Sequence, residues 1–218
     1  MMNFTELRDL KCGCATARRL TSIAVSAMLL ALLFSGLALS QQETASSSNY
    51  TADGQLKFPE NYRQWIYLSS GFDMSYNPGM QVGHHMFDNF FVNPEAYKSF
   101  VETGTWPDYT MLVLEVRPAE GKGSINQKGN YQSTETMGVE VHVRDSKRFQ
   151  GGWAFFGFDD AKTATMVPRE AACYSCHAAH AAVDTTFVQF YPTLLPIAKS
   201  KGTLSAGYLK ESATTSEK

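Results

Sequence analysis

The residue pattern predicts an α+β domain: an antiparallel β-sheet followed by a helical segment near the C-terminus. Three observations carry this reading. Short aromatic and β-branched runs bounded by turn residues fill the middle of the chain. One of them, Gly138 to Arg144, alternates strictly, as a strand with two different faces must. Only after Pro168 does the pattern turn Ala-rich and helical. Strands first and helices last is the order of an α+β protein rather than of repeating βα units.

Each element has a local reason. Trp65-Ile66-Tyr67-Leu68 and Phe87 to Val92 are runs of strand-forming residues. Asn93-Pro94-Glu95 then supplies a helix start: an Asn cap, Pro in the first turn and an acid beside it. That helix carries Tyr97, Phe100 and Val101 and stops at Gly104. Thr110 to Val116 is another strand, and the Gly-rich stretch from Lys122 to Asn130 a loop. Gly138 to Arg144 places Val139, Val141 and Val143 on one face and Glu140, His142 and Arg144 on the other. Trp153 to Phe158 is a fifth strand, and a last helix is expected from Phe187 to about Ala198. The chain has no internal repeat.

The ends read differently. Arg18-Arg19 precede an apolar run from Leu20 to Leu39 that closes on Ala38-Leu39-Ser40, a small-residue cleavage site, so residues 1–40 are expected to be a signal peptide. The run is also long enough to span a bilayer, which makes an uncleaved anchor the alternative. Either way the domain is placed across a membrane from the cytoplasm, in the periplasm of a bacterial cell. Residues 41–53 are rich in Ser, Thr and Gln and read as a flexible linker, 54–198 as the domain, and 199–218 as a flexible tail.

The 178 residues after position 40 suffice for one domain with a real core. Of 19 Lys and Arg, four lie in 1–40; of 21 Asp and Glu, two do, leaving 15 against 19. That mild acidity and the lack of a basic patch exclude a nucleic-acid partner. Cys12 and Cys14 fall in the signal, so Cys173 and Cys176 are the exported domain's two thiols, too few and too close for a disulfide scaffold.

Cys173-Tyr174-Ser175-Cys176-His177 carries the chemistry. On a helix, residues three and four apart share a face, so both thiols and the imidazole point the same way. That suits one covalently held haem c, with Cys173 and Cys176 bonded to its vinyl groups and His177 on the iron. A thioredoxin-type redox pair is one alternative. Half of a zinc site is another, drawing on His180 and one of His84, His85 or His142. For a sixth iron ligand, Met74, Met80, Met86, Met137, Met166 and the His84-His85 pair are available, but nothing around them singles one out. His180 follows His177 on the same helix and cannot reach across the iron. An open sixth position is expected.

Several stretches resemble the cytochrome P-460 family. They are residues 58–65 (FPENYRQW), 92–95 (VNPE), 138–141 (GVEV), 153–156 (WAFF), 173–177 (CYSCH) and 187–192 (FVQFYP), in that order along nearly the whole mature domain. The resemblance implies a homodimeric, mainly antiparallel fold, a five-coordinate haem iron and chemistry on small nitrogen species. One branch of the family oxidises hydroxylamine and cross-links a lysine to the haem edge. The other, the cytochromes c′-beta, lacks the cross-link and binds nitric oxide or carbon monoxide. The cross-linking position, just before Glu115, is Leu114 here, and no lysine lies between Lys98 and Lys122.

Glu140 matches the family's distal carboxylate, although alternation alone does not say whether Glu140 or the valines face the haem. Leu112, Leu114 and Val116 are expected as neighbouring walls. Three functions follow: an exported nitric oxide-binding haem protein; an oxidoreductase acting on hydroxylamine or nitric oxide, with Glu140 as proton acceptor and electrons leaving to a partner cytochrome; or a simple electron carrier.

Overall fold

The computed structural model describes residues 49–75, 84–159 and 162–215. The expected signal peptide, most of the expected linker and Met80 lie outside the described residues. In chain order the strands are β1 (Leu56–Lys57), β2 (Ile66–Phe72), β3 (Met86–Val92), β4 (Met111–Glu120), β5 (Tyr131–Gln132), β6 (Gly138–Arg144), β7 (Trp153–Phe158) and β8 (Thr163–Ala164). The helices are α1 (Pro94–Thr103), α2 (Ala172–His180), α3 (Leu195–Lys201) and α4 (Ala206–Thr215). The main sheet runs β2-β3-β4-β6-β7, every pair antiparallel; β5 pairs the far end of β4, and β1 pairs β8. The chain is α+β, as its strand and helix signals require.

Both faces of the sheet carry a core. On one, Val113, Val139, Val141, Val143, Phe156 and Phe158 pack under Tyr50, Leu56, Tyr62 and Phe149. On the other, Val92, Leu112 and Trp153 pack against Phe100 of α1, Trp106, Val183, Val188 and Leu194. The valines of β6 therefore all enter the first core, and Glu140, His142 and Arg144 share the second face. Tyr50 is buried against Phe149 and Phe156, so ordered packing begins before residue 54 rather than after a linker ending at 53.

Helix α1 starts and ends where its residues predict, with Gly104 in the left-handed conformation (φ 77°) and its N–H on the Phe100 carbonyl. Asn93, however, does not cap it by side chain. Its Oδ1 accepts the Met111 N–H at 2.8 Å and so ties the helix start to β4.

The C-terminal region departs from expectation in two ways. The single helix expected from Phe187 to Ala198 is split into a 3-10 turn at Val188–Phe190 and the separate helix α3. Pro192 explains the break: it holds Tyr191 extended (φ −104°, ψ 94°) and has no N–H to continue a helix. The expected flexible tail is helical over Ala206–Thr215. Ser205 anchors α4 by donating from its N–H to Ala182 O (2.8 Å) and from its hydroxyl to Ala181 O (2.6 Å). Glu211 pairs with His180 of α2. Gly207 approaches α2 so closely that an added Cβ would sit 2.4 Å from the Ala179 carbonyl oxygen.

Glu115 is the most buried carboxylate of the sheet, 3% exposed, and lies beneath the first core. It accepts from Tyr62 Oη, from Arg63 Nε (2.7 Å) and from Arg117, whose Nη1 also reaches the carbonyls of Ser133 and Thr134, both at 3.0 Å. Burial alone raises the Glu115 carboxyl, but hydrogen bonds from Arg117, Tyr62 and Arg63 outweigh it and hold the group below its ordinary value. Stability from a depressed carboxyl is present above the unfolded-state value, about 4.3, and is lost as pH falls through the folded one. Glu115→Gln is therefore expected to destabilise at pH 7 and to lose less stability than wild type between pH 5 and pH 3. The cost is about 3 kcal/mol, at the low end for a broken buried pair because water screens Arg63. Urea unfolding at both ends of that range reads it.

Gly207→Ala sets two effects against each other: a helix gain of about 1 kcal/mol and an overpacking cost of about 1–3 kcal/mol. The contact with Ala179 O makes the cost prevail. Hydrogen exchange of the 206–215 amides is expected to speed up while β6 keeps its protection.

Candidate haem-binding site

Helix α2 contains no fully buried residue. Cys173, Tyr174, Cys176 and His177 are half-buried along one side, and Ala172, Ser175, Ala178, Ala179 and His180 are exposed on the other. Tyr174 fastens this short helix to the sheet. Its hydroxyl donates to Val167 O (3.0 Å) and accepts the Phe155 N–H (3.3 Å), which points outward from the edge strand β7. Arg169 lies over the Tyr174 ring at 4.2 Å and donates to Trp153 O at 3.0 Å. The second residue of the motif thus completes a sheet edge while its neighbours stay available.

The His177 imidazole is fixed by one hydrogen bond and three rings. Nδ1 lies 2.7 Å from the Thr185 carbonyl oxygen. A carbonyl only accepts, so Nδ1 carries the proton and Nε2 keeps its lone pair. Phe187, Phe155 and His142 surround the ring, with centroids at 4.2, 4.7 and 5.3 Å. Burial lowers the His177 imidazole below its ordinary value, against the bond to Thr185, which raises it. That lowering favours the neutral ring, the form in which an imidazole binds a metal. Thr185 itself sits in a turn closed by Val183 and Thr186, whose hydroxyl accepts from Trp106 Nε1 at 2.8 Å.

Strand register places the remaining residues named from the sequence. Leu112 is opposite His142, and Leu114 is opposite Glu140 and Phe90. All of these project to the face that carries α2, since His142 touches His177. Glu140 therefore lies on the motif's side of the sheet, two residues along β6 from the ring that meets His177. Although Glu140 stays open to solvent, the protein around it and then the Asp159 carboxylate push its carboxyl above the ordinary value. Leu114 is half-buried beside it. Leu112 is 6% exposed and belongs to the packed second core with Val92 and Trp153.

Sequence reasoning named His142 only as a possible zinc ligand on Glu140's face and gave Thr185, Phe155, Phe187 and Asp88 no part in the site. His142 is buried, stacks on Phe155 (3.9 Å, 12°), and is pushed well below its ordinary value by burial and then by His177. Thr185, Phe155 and Phe187 complete the surround. The parity of β6 was the available signal, since His142 must face wherever Glu140 does. Asp88, on the row next to Glu140, is a second carboxylate raised by burial and then by Glu140 and Asp73.

Several of the other candidate ligands are engaged elsewhere or exposed, while Met74 and Met86 are half-buried. His85 pairs with Asp73 at 2.5 Å, and His180 with Glu211. Met137 and Met166 are 54% and 42% exposed. Among the described residues no group of three or more His, Cys, Asp or Glu side chains gathers to hold a metal ion, so the zinc alternative finds no ligand set there.

The residues present fit a haem. Two free thiols and an imidazole with an unshared Nε2 lie on one side of a helix that buries no residue of its own. A half-open sheet face with aromatic and aliphatic side chains lies beside them. An antiparallel sheet carrying such a helix is an arrangement that a c-type haem would fit. The family description Cytochrome P460 matches residues 59–188, from the turn that bears Tyr62 and Arg63 through the whole main sheet to the end of the motif region. The chain belongs to the cytochrome P460 family, and with it to the haem-binding proteins. No curated protein matches the chain.

Tyr174→Phe removes the hydroxyl that bridges Val167 O and the Phe155 N–H. A cost of about 1 kcal/mol is expected, lowering Tm by roughly 2–4 °C in a domain of this size. Thermal denaturation by circular dichroism checks it.

Proposed function

We propose that Cys173 and Cys176 hold one haem c covalently and that His177 Nε2 is the axial ligand of a five-coordinate iron that binds nitric oxide. The bond from His177 Nδ1 to Thr185 O carries this reading, because it leaves Nε2 free beside the two thiols. In that attachment each thiol would add its sulfur to one carbon of a vinyl group and its hydrogen to the other, with nothing oxidised and nothing leaving. When bound, the haem supplies an iron centre able to take a small neutral ligand or to pass electrons. The chain's own residues do the rest. His177 would hold the iron, while Phe90 and Leu114 give the neighbouring sheet face an apolar wall suited to a neutral diatomic. Leu114 offers no amine for a cross-link. Export to the periplasm and pairing as a homodimer belong to the same proposal. Tyr67 and Phe72 on the edge strand β2, 54% and 42% exposed, supply apolar surface for a second copy.

One observation favours a second reading, oxidation of hydroxylamine or nitric oxide with an electron-accepting cytochrome as partner. Glu140 stands on the motif's face with a raised carboxyl, and a carboxylate so placed accepts protons from a substrate more readily than one in bulk water. On that reading, turnover rises with pH through the raised Glu140 value.

The full chain, expressed with cytochrome c maturation machinery, tests both readings. Its pigment is expected to resist acidic organic extraction and to show a high-spin ferrous spectrum that changes on adding nitric oxide. Hydroxylamine turnover with an artificial acceptor is expected to be absent. Turnover that falls by roughly 10²–10⁴ in Glu140→Ala would establish the second reading instead. A low-spin ferrous spectrum indifferent to nitric oxide would leave a simple electron carrier.

A further inference from the structure

His142 is not among the haem-holding residues proposed above, yet it is buried on the sheet's second face among three rings. It stands in a row of side chains that are otherwise apolar, with Leu112 opposite on β4 and Phe155 opposite on β7. Its ring lies nearly parallel to Phe155 (centroids 3.9 Å, 12° between planes) and meets His177 edge-on at 5.3 Å and 77°. Trp153 closes another side at 4.4 Å. A phenylalanine would satisfy every one of these ring contacts. The imidazole's further contribution is a polar one: its Nε2 lies 3.4 Å from Thr185 Oγ1. Thr185 is the residue whose backbone oxygen accepts from His177 Nδ1. The side chain and the carbonyl of one residue thus join the strand histidine to the motif histidine.

The turn that presents Thr185 is held at the neighbouring residues: Thr186 Oγ1 accepts from Trp106 Nε1 and donates to Val183 O, both at 2.8 Å, and Asp184 pairs with Arg144 at 3.0 Å. Val183 and Thr186 close it by backbone hydrogen bonds of 2.8 and 3.3 Å, and Asp184 takes a left-handed conformation (φ 52°). Such a conformation is strained for a residue with a side chain and is held by its surroundings. A contact on the Thr185 hydroxyl therefore bears on where the Thr185 carbonyl points.

We propose that His142 is a positioning residue: through Thr185 it sets the direction of the carbonyl that receives the His177 Nδ1–H, and its ring fixes the rotation of the His177 imidazole. The inference rests on the reading of His177 as the iron ligand. A firm hydrogen bond at Nδ1 makes an imidazole a stronger donor to a metal at Nε2, and partners of this kind are what orient a ligating histidine. A better donor favours the ferric over the ferrous iron. Loosening the Thr185 carbonyl therefore weakens the iron–histidine bond and makes the iron easier to reduce.

The test uses the full chain loaded with haem, with His142→Phe to keep the ring stack and remove the nitrogen. Thr185→Val removes the hydroxyl and keeps the carbonyl. Each is expected to move the ferrous iron–histidine stretching band in the resonance Raman spectrum to lower frequency and to raise the midpoint potential. In the double variant the two shifts are expected not to add, because both remove the same contact. If His142→Phe does not fold, Thr185→Val carries the test alone. Haem content is scored first. A chain with no covalently held haem overturns the site reading and this inference together. A haem-loaded chain whose band and potential stay at wild-type values in the variants overturns the positioning role alone, as would shifts that simply add.

Discussion

The hydrogen bond between His177 Nδ1 and the Thr185 carbonyl is the constraint on which the site depends. Helix α2 is short and buries no residue, so its own propensity cannot hold the motif still. Two anchors do so from outside. Tyr174 ties the helix to the outer edge of β7, and Thr185 ties His177 to a turn. That turn is pinned by Trp106 through Thr186, and Trp106 packs on Phe100 of α1 at 4.3 Å. The orientation of one imidazole is therefore set by a layer contributed some seventy residues earlier in the chain.

The sheet serves the site by having two unlike faces. Its first face is filled by aliphatic and aromatic side chains and locked by the Glu115 cluster with Tyr62, Arg63 and Arg117. Its second face is packed only in part, under α1 and the C-terminal segments. Beyond them it stays half-open where Phe90, Leu114 and Glu140 lie in one row. Residues projecting from a packed sheet hold their places better than residues on loops. The chain past Val188 lies beyond the family match, yet α3 and α4 complete the second core and cover the end of α2.

Much of this was legible in the sequence because it depends on local order. Strand and helix positions follow from period and turn residues, and the five main strands and α1 appear where those signals put them. The motif at residues 173–177 is legible for the same reason: its chemistry lies in spacing along one helix. The C-terminal helix was misjudged as a tail because its stability comes from contacts with α2 at Ser205, Gly207 and Glu211, which leave little trace in composition.

What the sequence by itself determined is the class of element at each position, the spacing of two thiols and a histidine, and the strict alternation of β6. Only the tertiary structure decided which face of that strand meets the motif. Alternation has two equivalent solutions, and a strand carries no information about which neighbour covers which side. Packing Val139, Val141 and Val143 under Tyr62 and Phe149 removed one solution. That turned Glu140 and His142 toward α2 together.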